Sequence, residues 1–181
     1  YRPYGPYHII NAALNIQGSD LANRRGRNAD FFIFSPYFTG SPATGYAATS
    51  TMETKAYVNL ATSMSVSGAA FSSNMGANSI KALTPTLALL NIRTGYWMKN
   101  PRYVADPRRR DEISNLQHIT APFYLLNEIT GRLYESSEEI YLTDGGHIEN
   151  LGIYDLLRRR CKFIVAVADA ADPPMRFSPS P

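Results

Sequence analysis

Residues 163–168, Phe-Ile-Val-Ala-Val-Ala, form an unbroken apolar run. That is the pattern of a strand buried on both faces inside a parallel sheet. A helix is expected just before it, over residues 150–160. Asn150 is a suitable N-cap, and Leu151, Tyr154 and Leu157 share a face at spacing three. Arg158, Arg159 and Arg160 fall in the last turn, where cations suit the helix dipole. Ahead of the helix, residues 140–143, Ile-Tyr-Leu-Thr, read as another strand. The pieces make a β–loop–α–β unit, in which the crossover is right-handed and the two strands run parallel. Asp144 then stands just past the carboxyl end of the first strand, the edge at which open α/β sheets bind ligands.

The rest of the chain is less sharply patterned. Residues 8–16 are β-prone and residues 30–34, Asp-Phe-Phe-Ile-Phe, read as a short buried strand closed by Ser35-Pro36. Residues 36–55 are rich in Gly, Pro, Thr and Ser and read as a long irregular loop of the kind that often lines sites. Helices are expected over 56–73, where Ala61, Ser65, Gly68 and Ala69 present small side chains, over 85–93, and over 119–129 with a stop at Gly131. Residues 99–111 are polar and Arg-rich and read as a surface loop.

Composition narrows the function classes. The 181 residues are enough for one domain with a sizeable core. A net charge of +3 is too small to imply nucleic acid as a partner. The arginine clusters (Arg24, Arg25 and Arg27; Arg108 to Arg110; Arg158 to Arg160) are expected to be solvated faces rather than sites for phosphate or anionic lipid. No stretch approaches the roughly 18 apolar residues of a membrane span. The single cysteine, Cys161, excludes an intrachain disulfide and is expected to be a packed thiol in a reducing, cytoplasmic-side setting.

Asp144 is followed at once by Gly145 and Gly146, which let the main chain turn tightly and approach a ligand or a second loop. Asp-Gly is also a common structural turn pair, so the triplet alone leaves a catalytic and a merely structural aspartate open. The segment YLTDGGHIENLGIYDLLRRRCKFIVAV resembles the aspartate-bearing part of patatin-like phospholipases, in a bacterial branch of that family. Other segments resemble the same branch: PYHIINAALNIQGS, RRGRNADFFIFSPYFTGS, SVSGAAFSSNMG and LLNIRTGYWMKNPR. Together they span roughly residues 4–177 and are weakest over 105–135.

The resemblance implies a three-layer α/β/α fold with a mainly parallel sheet, incomplete in this chain, so that residues 1–181 are part of an acyl hydrolase domain. It also implies a serine–aspartate dyad in which Asp144 takes the serine proton directly. Gly145, Gly146, His147, Asn150 and Ser67 would line the site. The substrate would be a phospholipid or another fatty-acid ester, with peripheral membrane contact, no nucleic acid and no cofactor. The location would be the cytoplasm or the cytoplasmic face of a membrane. The sequence departs from the family in one respect. No Gly-x-Ser-x-Gly elbow occurs in residues 1–181, and the nearest run, Ser65-Val66-Ser67-Gly68-Ala69, falls in an expected helix rather than on an elbow. Ser67 is therefore expected to pack near the site, the nucleophile and oxyanion loop to lie upstream, and the chain alone to be inactive. A sheet lacking its first strands would also favour self-association.

Three rival readings use the same residues. His147 could serve as base in a Ser–His hydrolase, although packing over the turn is expected. Asp144, His147 and Glu149 could ligate a metal, but the two-residue spacing and the lack of a further ligand cluster argue against it. A patatin-like scaffold without catalysis would act by binding, as an interaction module at a membrane. Tyr96-Trp97-Met98 beside Lys99 and Arg102 could touch a membrane interface, but are expected to fill and cover core.

Overall fold

The computed structural model describes residues 6–21, 26, 28–68, 95–106, 126–127 and 129–167. The chain divides into two compact units, Tyr1–Asn150 and Leu151–Pro181. The first holds a curled six-stranded sheet built from β1 (Ile10–Asn15), β2 (Ala29–Phe34), β3 (Phe38–Ser41), β4 (Gly45–Ala48), β5 (Tyr96–Lys99) and β6 (Glu139–Asp144). The strand order is β4-β3-β2-β1-β6-β5, and every pairing is antiparallel. The expected mainly parallel α/β/α fold is therefore corrected. The physical reason lies in the connections. Residues 35–37 and 42–44 are too short to carry a strand back for parallel pairing, so β2–β3 and β3–β4 close as hairpins. Gly45 at φ +73° supplies the left-handed residue that the second hairpin requires.

Among the described residues the first unit also holds the helices α1 (Thr49–Ala56), α2 (Leu60–Ser67) and α3 (Pro101–Ala105), and the second unit, after β6, holds α4 (Tyr154–Arg158). The single helix expected over 56–73 begins four residues later than expected, because Tyr57 ends α1 in a left-handed conformation and Asn59 caps α2 by accepting the Thr62 N–H at 2.9 Å. Residues 36–55, expected to be an irregular loop, hold β3, β4 and most of α1. Residues 99–106 hold the end of β5 and α3 rather than a loop, with Asn100 capping α3 and Pro101 at its first position. Residues 126–127 and 129–130 are helical, and Gly131 follows at φ +66°. The expected helix over 85–93, the arginines at 24, 25, 27 and 108–110, and residues 119–125 lie outside the described residues.

The core sits on one face of the sheet. Leu14, Phe32, Phe34 and Leu142 project from it against Met52 of α1 and Val66 of α2. The Phe32 and Phe34 rings meet edge-on with centroids 5.2 Å apart. On the opposite face, Trp97 lies against the buried Tyr141 ring at 5.1 Å, away from the core cluster.

The second unit departs furthest from expectation. Residues 163–167 form no strand, and Phe163, Val165 and Val167 are 91%, 87% and 90% exposed. Helix α4 is five residues long, starts four residues after Asn150, and has no side-chain cap. Leu151, Tyr154 and Leu157 are exposed. In place of the expected helix and strand, the described residues of this unit hold a short helix and an apolar segment with no strand assignment. Arg158 lies 3.7 Å from Asp155 within the helix. Cys161, expected to be packed, is exposed. Among the described residues no helix is long and apolar enough to cross a membrane.

Candidate functional site

Asp144 is the last residue of β6 and pairs with Ala12 of β1. Side chains alternate along a strand, so Asp144 shares its face with Ile140 and Leu142, the face that carries the core. Beyond it, Gly145–His147 form one turn of 3-10 helix. The Asp144 carboxylate caps that turn: its Oδ1 accepts the Gly146 N–H at 2.8 Å. Its Oδ2 accepts no hydrogen bond among the described residues. The side chain is half-buried, so one oxygen is held in place and the other remains available.

Gly145 is required for room rather than for an unusual angle, and neither glycine has a positive φ. A Cβ on Gly145 would stand 2.7 Å from the Asn11 carbonyl oxygen of the adjacent strand. One on Gly146 would meet Asn150 Oδ1 at 2.8 Å and Asp144 Oδ1 at 3.3 Å. Asn150 therefore crowds the turn from outside, instead of starting a helix.

His147 is directed elsewhere. Its Nδ1 lies 3.3 Å from Thr143 Oγ1, and Thr143 projects from the opposite face of β6 to Asp144. Thr143 Oγ1 also accepts a hydrogen bond from the buried Asn15 Nδ2 at 3.0 Å. No hydrogen bond joins His147 to Asp144 among the described residues. Ser67 is the last residue of α2 and is half-buried. Helix α2 packs against β1 and β6, but no hydrogen bond links Ser67 to Asp144 among the described residues. A helix C-terminus carries partial negative charge and presents carbonyls, the opposite of what a developing oxyanion needs. Among the described residues no group of three His, Cys, Asp or Glu side chains could hold a metal ion.

The structure adds a feature that sequence reasoning did not find. A cleft of about 550 Å³ opens between the start of β1, the end of β2 and helices α1 and α2. Ile10 and Phe34, which pair across β1 and β2, lie in its floor. Ile10 is on the same face of β1 as Ala12, one pleat repeat or about 7 Å along the strand. Asp144 and the cleft therefore occupy the same face and the same end of the sheet. The only forewarning was residues 36–55, flagged as site-lining, which contribute Pro36, Thr39, Thr49 and Glu53. The remaining walls come from segments whose convergence no local pattern encodes. Comparison of the chain with protein-family models, curated proteins and solved structures finds no match.

Proposed function

We propose that Asp144 is the base of a serine–aspartate dyad in a lipid acyl hydrolase acting on a phospholipid or another fatty-acid ester, at the cytoplasmic face of a membrane or in the cytoplasm. The observation that carries this reading is the presentation of its carboxylate. Oδ1 is held by the Gly146 N–H and Oδ2 is left available at the end of a strand. A serine hydroxyl is a weak nucleophile until a base within hydrogen-bond reach takes its proton. In the proposed reaction the serine oxygen attacks the ester carbonyl as its proton passes to Asp144. The proton then goes to the departing alcohol, and water releases the acyl group by the reverse sequence. The patatin-like resemblance supports the choice of an aspartate rather than a histidine as base. The contact of His147 with Thr143 on the other face is in keeping with that choice.

The nucleophile is proposed to lie outside these 181 residues, and the chain alone is expected to be inactive. The test is hydrolysis of a short-chain p-nitrophenyl ester and of a phospholipid by the longer gene product carrying a Gly-x-Ser-x-Gly segment. Asp144→Asn should reduce kcat at least about 10³-fold, on the scale seen for other members of catalytic dyads and triads. His147→Ala should cost far less. Retained activity in Asp144→Asn, or a gene product with no such serine, overturns the reading. In the second case a binding module is the better account, and the 550 Å³ cleft is the feature that favours it.

A further inference from the structure

We propose that the cleft bounded by β1, β2, α1 and α2 binds a small amphiphile whose polar end is a hydrogen-bond-donating cation, in chemical class an alkylammonium. Its volume of about 550 Å³ lies within the roughly 300–1,000 Å³ of small-molecule sites. The floor is apolar, formed by Phe34, Val58 and the half-buried Ile10. An alkyl chain laid there leaves water for an apolar surface.

The polarity of the walls decides the head group. Each wall hydroxyl has a single proton to donate, and each is committed to the protein. Ser35 Oγ donates to the Phe38 carbonyl at 2.6 Å. Thr49 Oγ1 donates to the Ser35 carbonyl at 2.7 Å. Thr39 and Thr49 hydroxyls are 3.1 Å apart, and with the Thr49 proton already used, Thr39 is the donor. Ser63 Oγ donates to the Asn59 carbonyl at 2.9 Å. Ser35 Oγ also accepts from the Tyr7 hydroxyl at 2.8 Å and from the Phe38 N–H at 3.3 Å, so it is saturated, and what the Thr39, Thr49 and Ser63 hydroxyls can offer a ligand is lone pairs. Among the described residues Glu53 is the only carboxylate of the lining; it lies on the exposed side of α1 and has no ion pair or hydrogen bond there. Among the described residues no lysine or arginine lines the cleft. A sulfate or carboxylate head would face Glu53 with no lysine or arginine among the described lining residues to meet it, whereas an ammonium finds acceptors and a counter-charge. Neither Asp144 nor a serine nucleophile enters this assignment, so it stands whether or not Asp144 acts as a base.

The test is calorimetric titration of the chain with octylammonium, octyl sulfate and octan-1-ol, each below its micelle concentration. Octylammonium should bind at least about tenfold more tightly than octyl sulfate, a difference of about 1.4 kcal/mol. Glu53→Gln, an exposed helical position whose change leaves the fold intact, should weaken octylammonium binding about tenfold and leave octan-1-ol unchanged. Glu53→Lys should invert the preference between octylammonium and octyl sulfate. Equal affinity for the two ions, an unchanged octylammonium affinity in Glu53→Gln, or no binding of any of the three would each overturn the proposal.

Discussion

Strand β2 and residues 163–167 are both runs of bulky apolar side chains, and both read as buried strands. In β2 the reading holds: Phe32 is completely buried, and the strand pairs with β1 on one side and β3 on the other. In the second unit Phe163 stands almost entirely in water. The difference lies in what each segment is paired with rather than in the residues. A strand is buried when neighbouring strands satisfy its N–H and C=O groups and a layer covers its side chains. Residues 163–167 have neither among the described residues. Apolarity indicates that a segment can be buried, and only its partners determine whether it is.

Substitutions can break or sharpen this contrast. Phe32→Ala should cost about 3–5 kcal/mol, the scale of an aromatic removed from a packed core, read from the urea midpoint. A loss below about 1 kcal/mol would mean that the sheet face is not the packed core described. Gly145→Ala probes the end of β6, where the new Cβ must displace the Asn11 carbonyl. A loss of about 1–3 kcal/mol is expected from such overpacking, and thermal unfolding would show it.

Glu139→Gln should have a smaller and pH-dependent effect. Glu139 pairs across strands with Lys99. Burial raises its pKa above the usual glutamate value, and the positive charge of Lys99 only partly offsets this. A raised folded-state pKa means that its contribution is fully present below the unfolded value, near 4.3, and is lost as pH rises through the folded one. The variant should therefore melt higher than the parent at pH 7 and level with it near pH 3. The reverse order at pH 7 would show that the Lys99 attraction dominates. The smallest effect is expected at the exposed segment. Val165→Lys should change stability by less than about 0.5 kcal/mol, and a loss approaching that of Phe32→Ala would abolish the contrast altogether.

Much of the local structure was legible. β1, β2 and β6 announce themselves through Ile, Phe, Leu and Tyr, and Asp144, expected just past a parallel strand, is the last residue of the antiparallel β6. β3 and β4 did not, because Thr39, Gly40, Ser41, Ala47 and Ala48 carry little apolar signal. Their pairing depends on a tight turn and on hydroxyl contacts such as Ser41 to Thr44 at 3.0 Å. Strand direction was illegible for a different reason: periodicity reports which face is apolar and is silent about the direction of the neighbour. At the candidate site, alternation along β6 would have separated His147, tied to Thr143, from Asp144. The cleft was beyond reach, since its walls combine Ile10, Phe34, Glu53 and Ser63 from four elements.

The place of β1 in the strand order has a consequence for how the protein assembles during synthesis. β1, β2, β3 and β4 are successive neighbours and can zip together from local turns as soon as they emerge. The other side of β1 pairs with β6, whose contacts join Asn15 to Tyr141 and Ala12 to Asp144. That flank of β1 must wait until more than a hundred further residues have been made, and until then it is an open template for any other extended chain. Arrival of the strand that ends in Asp144 thus both closes the hazard and completes the candidate site.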